Sequence, residues 1–414
     1  MGSGLYSAFD DVLILEAVRT PWCDYAGALG LVSPTDLGIK VGREVLRRAA
    51  IDPAAVDSLL AGCVAQASFD AYLLPRHIGL YSGVPQAVPA LGVQRICGTG
   101  FELLRQAGEQ IAAGSAELAL CVASESMSRN PIAAYTHRGG FRLGAAVEFK
   151  DFLWEALFDP AAGVDMIGTA ENLARQHGLS RAQVDVFALG SFRRTLQAQE
   201  QGWFDAELVA VHSESFELEG YQSRAIELPR GVEQVVRDSH PRPTSLDALA
   251  RLRPVHAGGV QTAGNSCAVV DGAAAALVGR ESLAQRPVLA RLLAATALGV
   301  APELMGIGPV AAIRLLLERS GLRLDDIGRF EINEAQGAQI LAVQRELELD
   351  PGCLNRHGGA IALGHPLAAT GLRLCLTVAR QLRADNLRYG IAAACIGGGQ
   401  GMAVLLENPA FELG

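Results

Sequence analysis

Apolar runs alternate with amphipathic segments along the first third of the chain. Val12 to Ala17, Ser58 to Val64 and Glu117 to Ala123 are short apolar runs of the strand type. Leu37 to Ala50 instead carries apolar residues at helical spacing, and the proline at position 53 stops that helix. A continuous apolar strand is typical of a sheet that is buried on both faces. The pattern predicts an α/β fold with a mainly parallel sheet.

The middle of the chain does not follow this alternation. From Arg129 to about Cys267 there are many charges and long irregular stretches, such as Arg138 to Val147. One helix is predicted there, from Ser180 to Glu200, with Ser180 as its N-cap. The composition predicts an inserted, substrate-facing domain. We expect an N-terminal half over 1–128 that is completed by about 268–285, an inserted loop domain over 129–267, and a C-terminal half over 286–414.

The last third repeats the first. Val45 to Leu60 aligns with Leu316 to Glu331 at an offset of 271 residues. A similar offset pairs the turn at Cys97 with the turn at His365, and in both halves a helix and then a strand follow that turn (Leu372 to Leu382 and Gly390 to Cys395 in the second). Chance similarity between two halves rich in alanine and leucine is the alternative. A duplicated fold would place the cysteine and the histidine at equivalent strand ends, where ligands bind in such sheets.

Composition narrows the classes of function. The chain has 414 residues, a formal charge of −9 and no basic stripe, which argues against nucleic-acid binding. Its eight cysteines show no CxxC pair and no zinc-ligand spacing, so we interpret them as reduced intracellular thiols that bind no metal. The first residues lack the long apolar segment of a secretory signal, and the most apolar later runs are interrupted by Asp271 or Arg291. We expect a cytoplasmic protein without a membrane span.

One cysteine stands at a turn between an apolar segment and a helix. Cys97 has Gly98 and Gly100 close by in the chain, and a helix is predicted from Phe101 to Ala113. The free N–H groups and the dipole at the start of a helix stabilise a thiolate, and the two glycines leave room for a substrate. A small buried side chain in a tight turn is the other interpretation, because free cysteines are usually buried.

Three more side chains at predicted strand ends or turns could take part in chemistry. His365 follows the glycine-dense segment 355–364 and, paired with Cys97 through the repeat, is a candidate base. Cys395 begins the glycine-rich segment 395–401, whose N–H groups could bind an oxyanion, and Asn333 ends another predicted strand. Each also has a purely structural interpretation. Together, two thiols, an imidazole and an amide suit acyl transfer followed by proton removal at carbon.

Eight short motifs occur in one order along nearly the whole chain. They are the segment 94–100 around Cys97, Glu125-Ser126-Met127-Ser128, Met166-Ile167-Gly168-Thr169-Ala170-Glu171-Asn172, Thr262-Ala263-Gly264-Asn265, Met305-Gly306-Ile307-Gly308-Pro309, Asn333-Glu334-Ala335, Gly364-His365-Pro366 and Cys395-Ile396-Gly397-Gly398-Gly399. With these motifs the sequence resembles the thiolase family of acetyl-CoA acetyltransferases and 3-ketoacyl-CoA thiolases. The resemblance implies a thiolase fold, a duplicated five-layered αβαβα arrangement with an inserted loop domain that binds CoA, and a homodimer or homotetramer.

The resemblance also implies roles for individual residues. Cys97 would carry the acyl group, His365 would activate it, and Cys395 would be the acid and base at the substrate α-carbon. Asn333 would hold a water in one oxyanion hole, and the N–H groups of Cys97 and Gly397 would form the second. CoA and its thioesters would be substrates, with no cofactor bound permanently. Contacts with CoA or the acyl chain are implied for Arg242 beside the adenine, Asp165, Met166, Ser266, Cys267, Met305, Ala335 and Gln336.

Five positions depart from the family pattern. Gln336 stands where the family commonly has a phenylalanine, Cys267 where it has a serine, and Asp165 where many biosynthetic members have a histidine. After His365, the usual glycine and serine or threonine become Ala368 and Thr370. The main hypothesis is a CoA-dependent thiolase that cleaves 3-ketoacyl-CoA or runs the reverse condensation. A non-catalytic acyl-CoA binding or scaffolding subunit is one alternative. A condensing acyltransferase for an unusual polar acyl group is another, and Gln336 favours it.

Overall fold

The computed structural model describes residues 4–65, 68–135 and 137–412. The helices are α1 Pro34–Ala49, α2 Leu74–Tyr81, α3 Thr99–Ala112, α4 Phe152–Ala156, α5 Met166–Gln176, α6 Arg181–Glu200, α7 Leu246–Ala250, α8 Gly308–Ser320, α9 Gly337–Glu346, α10 Ala360–Leu363 and α11 Thr370–Ala384. The strands are β1 Leu5–Ala8, β2 Leu13–Arg19, β3 Cys23–Asp24, β4 Ser58–Gly62, β5 Ala90–Gly92, β6 Leu118–Glu125, β7 Ile132–Ala134, β8 Phe149–Asp151, β9 Phe158–Asp159, β10 Val164–Asp165, β11 Val211–His212, β12 Glu214–Phe216, β13 Arg224–Ile226, β14 Gln234–Val235, β15 Val270–Gly279, β16 Ala290–Gly299, β17 Ile327–Ile332, β18 Tyr389–Ile396 and β19 Gln400–Glu407.

The main sheet is built from two halves with the same internal order. Its path runs β17-β18-β19-β16-β2-β15-β6-β4-β5, with β1 and β3 attached at its side. The halves meet where β16 pairs with β2 through Ala290 opposite Ile14 and Arg291 opposite Leu13. Outward from this junction, β19, β18 and β17 in one half correspond to β15, β6 and β4 in the other. The sheet itself is therefore duplicated.

The prediction of a mainly parallel sheet is wrong. Only β4 with β5, β4 with β6, and β17 with β18 pair in parallel, whereas the other ladders of the main sheet are antiparallel. The reason is visible between β18 and β19, which are separated by Gly397 to Gly399. Gly398 and Gly399 have φ of 82° and 79°, and so short a turn can only reverse the chain.

The duplication predicted from the sequence is confirmed. Helices α3 and α11 begin 271 residues apart, at Thr99 and Thr370, and strands β6 and β18 begin at the same spacing, at Leu118 and Tyr389. One core cluster joins α3 and α11 to strands of both halves, while α1 with α2 and α8 with α9 pack in two further clusters on the outer faces. The layers are therefore αβαβα.

Residues between β6 and β15 leave the main sheet. They form four two-stranded ribbons and helices α4 to α7. The helix predicted at Ser180 to Glu200 is α6, and the hydroxyl of its N-cap Ser180 accepts from the N–H of Gln183 at 3.3 Å. The domain boundaries inferred from composition stay a prediction.

The central helices touch backbone to backbone at their first turns. A Cβ atom on Gly100 would lie 2.5 Å from the backbone nitrogen of Leu372, and one on Gly371 would lie 2.5 Å from that of Phe101. Only residues without a side chain fit there. This crossing brings the turn before α3 and the turn before α11 to the same place, and these turns carry Cys97 and His365.

Candidate active site

A largely apolar cavity of about 180 Å³ opens where the two turns meet. Its walls come from both halves of the fold and from the inserted segment. The lining residues are Cys97, Met127, Trp154, Leu157, Asp165, Met166, Ile167, Ser266, Cys267, Ala268, Val269, Met305, Ala335, Gln336, His365, Leu367 and Cys395. Three thiols and one imidazole therefore share a single enclosed space.

Cys97 sits in the 3₁₀ turn Ile96–Gly98 that leads into α3. The preceding residue, Ile96, has a φ of 43°, a left-handed conformation that is rare for a β-branched side chain and aims the turn into the cavity. The backbone N–H of Gly397 faces the Cys97 sulfur and by itself lowers the pKa of the thiol. Burial nevertheless raises the pKa of the Cys97 thiol to about 11. Desolvation therefore outweighs the N–H groups, and the thiol of Cys97 is protonated at rest.

Hydrogen bonds fix the ring of His365. Its Nδ1 lies 2.6 Å from the hydroxyl of Thr370, which in turn donates to the Pro366 carbonyl at 3.2 Å. Thr370 therefore accepts from Nδ1–H, and Nε2 carries the lone pair that can take a proton. Burial lowers the pKa of His365 to about 3, and the positive charge of Arg373 makes a smaller contribution in the same direction. The imidazole is neutral at pH 7, as a proton acceptor must be.

Asn333 follows β17 and reaches the same imidazole. Its Nδ2 lies 3.3 Å from Nε2 of His365, and its backbone N–H donates to Ala393 on β18 at 2.9 Å. The side-chain oxygen of Asn333 is buried and has no hydrogen-bond partner among the described residues. A buried acceptor of this kind needs a donor, and a water or a substrate group can supply one.

The second and third thiols of the cavity are also protonated at rest. Burial raises the pKa of Cys395 well above its ordinary value, and the nearby Cys97 and Cys267 add to the rise. Burial raises the pKa of Cys267 to about 12. A neutral imidazole facing neutral thiols is suited to proton transfer during reaction rather than before it.

Ten of the thirteen residues proposed from the sequence line this cavity. Asn333 and Gly397 do not line it, but they contact His365 and Cys97 directly. Arg242 lies elsewhere, at an exposed position, with its guanidinium carbon 5.2 Å from the Phe192 ring centre and its Nη1 2.9 Å from Nε2 of His240. The roles assigned to these residues, including the contact of Arg242 with adenine, stay predictions.

Sequence reasoning missed several residues of the site. Trp154 and Leu157 form cavity wall although they lie in the irregular middle segment, where no periodicity marks them. His256 binds Asp165 through Nε2 at 2.9 Å across 91 residues of sequence. The sequence offers one signal for the partner of His365: Thr370 carries a hydroxyl, stands five residues after the histidine and is the first residue of the next helix.

Glu125 ties the two halves together behind the nucleophile. It ends β6, is fully buried, and accepts from the N–H groups of Val64 and Ala65 at 3.1 and 3.0 Å. It also accepts from the N–H of Ala368 at 3.1 Å, three residues beyond the histidine. Burial raises its pKa. The carboxyl group thus connects the loop after β4 with the loop that carries His365.

The described residues include no group of three or more histidine, cysteine or acidic side chains arranged to hold a metal ion. None of the helices in the described ranges is long and apolar enough to cross a membrane.

A duplicated αβαβα fold with a buried cysteine, a neutral histidine and a second thiol around one cavity defines a cysteine-dependent acyltransferase. Residues 12–282 match the family described as "Thiolase, N-terminal domain" and residues 286–408 match "Thiolase, C-terminal domain". The chain belongs to the thiolase family, whose members use CoA as a substrate.

Relatives and solved structures agree with this assignment. The chain is 39% identical to a mitochondrial 3-ketoacyl-CoA thiolase of Bos taurus over 96% of this chain and 98% of that protein. It is also 39% identical to a beta-ketoadipyl-CoA thiolase of Pseudomonas aeruginosa over 96% and 99%. The human mitochondrial 3-ketoacyl-CoA thiolase in complex with CoA superposes with a TM-score of 0.90 at 38% identity, covering 96% of this chain and 98% of that one. An acetyl-CoA acetyltransferase of Bacillus anthracis gives 0.87 at 35%, covering 97% and 99%.

Proposed function

We propose that this protein is a CoA-dependent thiolase that cleaves 3-ketoacyl-CoA with CoA, or runs the reverse condensation, through an acyl group on Cys97. The observation that carries the proposal is the convergence of Cys97, His365 and Cys395 on one cavity. The thiolases among its relatives support it over their full length.

In the first half-reaction the Cys97 sulfur attacks the 3-keto carbon of the substrate while its proton passes to Nε2 of His365. The N–H groups of Cys97 and Gly397, or a water held by Asn333, stabilise the oxyanion. The bond between C2 and C3 then breaks, which leaves the acyl group on Cys97. The C2 carbanion takes the proton of Cys395 and departs as acetyl-CoA.

In the second half-reaction CoA resolves the acyl group. The Cys395 thiolate takes the proton of the CoA thiol, and the CoA sulfur attacks the thioester carbon. As the bond to Cys97 breaks, the protonated His365 returns its proton to the Cys97 sulfur. All three side chains regain their initial protonation states, which agrees with their neutral resting forms.

Mass spectrometry of purified protein with 3-ketoacyl-CoA, without free CoA, tests the proposal. We expect an acyl adduct on Cys97 that added CoA removes. Cys97→Ser should abolish the adduct, and Cys395→Ala should block exchange at the α-carbon while sparing acylation. Cys353→Ser, which is remote from the cavity, is the matched control and should behave as the wild type. No adduct and no thiolysis of any 3-ketoacyl-CoA would refute the assignment.

We also propose that the chain works as a homodimer, alone or paired into a homotetramer. Strand β5 ends the main sheet, and its Leu91 is 48% exposed. In the described segment that leads into α2, Phe69, Tyr72 and Leu73 are also exposed. An apolar sheet edge of this kind is a hazard unless another surface covers it.

Light scattering of the eluted protein tests this assembly. A chain with both Phe69→Glu and Tyr72→Glu should elute as a monomer. Val186→Glu, a charge placed at an exposed apolar position of α6, should leave the wild-type mass unchanged. A wild-type monomer would contradict the proposal.

We propose the cytoplasm as the location. All eight cysteines are free, and three of them surround one cavity, which suits a reducing compartment. Imaging of the tagged chain in its own cell tests this location.

A further inference from the structure

The wall of the acyl cavity carries a single formal charge, and that charge is negative. Asp165 is the one acidic residue among the lining side chains, and no lysine or arginine joins it in the described cavity. His365 is neutral because burial lowers its pKa to about 3. Nothing in the cavity wall can therefore neutralise an anionic acyl group.

Asp165 lies at the edge of the cavity, and the two residues that bind its carboxylate, Gly168 and His256, do not line the cavity. Its Oδ1 accepts from the N–H of Gly168 at 2.6 Å, where it caps α5, and from Nε2 of His256 at 2.9 Å. His256 itself does not line the cavity, and its Nε2 forms an ion pair with Asp165 when the imidazole is protonated. His256 therefore contacts the Asp165 carboxylate and not a ligand inside the cavity.

Gln336 supplies the opposite kind of group, a neutral donor. Its Oε1 accepts from Nε2 of Gln261 at 3.2 Å, and its backbone N–H donates to Gln339 at 3.4 Å. Among the described residues, nothing accepts a hydrogen bond from its Nε2. With the oxygen held, the amide N–H groups remain available to an oxygen atom of the substrate.

The free energies of desolvation and hydrogen bonding favour a neutral acyl chain over an anionic one. Burying a carboxylate costs more free energy, even after relaxation, than one hydrogen bond to it returns. While His256 is neutral, the fixed carboxylate of Asp165 adds repulsion to this deficit. A neutral hydroxyl faces neither cost and gains the hydrogen bond from Gln336.

The size of the cavity limits the chain. An apolar cavity of about 150 Å³ holds a benzene-sized guest of six carbons. The cavity here measures about 180 Å³. It accommodates an acyl group of roughly this size, with the thioester end at Cys97.

We propose that this enzyme selects short, uncharged 3-ketoacyl-CoA substrates of about six carbons, favours those with a neutral oxygen that reaches Gln336, and rejects chains that end in a carboxylate. The proposal rests on the thiolase function proposed above. It separates this chain from the relatives named as beta-ketoadipyl-CoA thiolases, although the Bos taurus and Pseudomonas aeruginosa relatives are both 39% identical to it.

Three substrates of equal chain length test the selection: 3-ketohexanoyl-CoA, 6-hydroxy-3-ketohexanoyl-CoA and 3-ketoadipyl-CoA. We expect kcat/KM to fall at least about a hundred-fold from the hexanoyl to the adipyl compound, from the Coulomb and desolvation terms. The hydroxyl compound should exceed the hexanoyl compound by up to about ten-fold, the effect of one net hydrogen bond.

Two variants assign the effects to single residues. Asp165→Asn keeps a helix cap but removes the charge, and should raise the adipyl to hexanoyl ratio by at least about ten-fold. Gln336→Leu should remove the advantage of the hydroxyl compound. Asp52→Asn, an exposed N-cap outside the cavity, is the control and should change neither ratio.

The outcomes are distinguishable. Adipyl turnover equal to hexanoyl turnover would overturn the charge selection while leaving the thiolase function intact. A hydroxyl compound no better than the hexanoyl compound would overturn the role of Gln336. Absence of turnover for all three substrates, with no adduct on Cys97, would overturn the proposed function itself.

Discussion

Replacing Gly100 with alanine tests whether the contact between α3 and α11 positions the reaction. The added Cβ would lie 2.5 Å from the nitrogen of Leu372, 2.9 Å from the Cα of Gly371 and 3.0 Å from the oxygen of Ala368. All three atoms belong to the backbone, so no side chain can rotate away. Ordinary contact begins near 3.4 Å, and the helices must therefore separate by about 1 Å.

Two effects follow from this separation. Overpacking of a close-packed interior costs about 1–3 kcal/mol, which lowers the melting temperature. A displacement of about 1 Å between Cys97 and His365 also lowers the rate, by on the order of a hundred-fold. The loss of rate should exceed the loss of folded protein, because the turns that carry Cys97 and His365 lead directly into α3 and α11.

The assay compares melting temperature with kcat/KM for thiolysis of 3-ketohexanoyl-CoA. Gly190→Ala is the matched control, since Gly190 also lies in a helix but its added Cβ would meet only the mobile end of Arg194. That variant should keep the wild-type rate and match or exceed the wild-type stability. Wild-type stability and rate in Gly100→Ala would refute the argument that this contact sets the geometry.

Three further predictions follow from the hydrogen bonds and the buried groups. Thr370→Val removes the acceptor for Nδ1 of His365 and should lower kcat by roughly ten-fold to a hundred-fold with little change in KM, whereas Thr370→Ser should restore it. Glu125→Gln cannot accept from all its N–H donors and should lower the free energy of unfolding by about 1–3 kcal/mol, seen as a lower melting temperature. The pKa of His365 is about 3 in the folded chain and about 6.5 in the unfolded chain. As pH falls below about 6.5, the unfolded chain therefore binds a proton that the folded chain does not, and the free energy of unfolding decreases. His365→Asn should flatten the decline of melting temperature between pH 6.5 and 4.

Each of these predictions has a contrary outcome. An unchanged kcat for Thr370→Val would mean that the hydroxyl does not set the tautomer. A Glu125→Gln variant as stable as the wild type would mean that its N–H donors find other partners. An equal acid decline in His365→Asn would place the acid sensitivity in other buried groups.

The repeat could be read from the sequence because it is a matter of local pattern. Helix α11 was predicted within two residues of each end, and β18 within one, since apolar periodicity and glycine turns are local signals. The same patterns do not contain strand direction. Strand direction depends on which strands become neighbours, and the short turn after β18 makes β19 antiparallel to it.

For the active site too, the sequence determined some properties and the tertiary structure determined others. The residue types at Cys97, His365 and Cys395 and the order of the motifs determined the class of reaction. Burial, which is a property of the folded chain, decided that the thiols and the imidazole rest uncharged. The bond between Asp165 and His256 and the amide of Gln261 that orients Gln336 join residues 91 and 75 positions apart. Such contacts follow from packing rather than from local sequence, so only the tertiary structure could place one negative charge and one neutral donor in the acyl cavity.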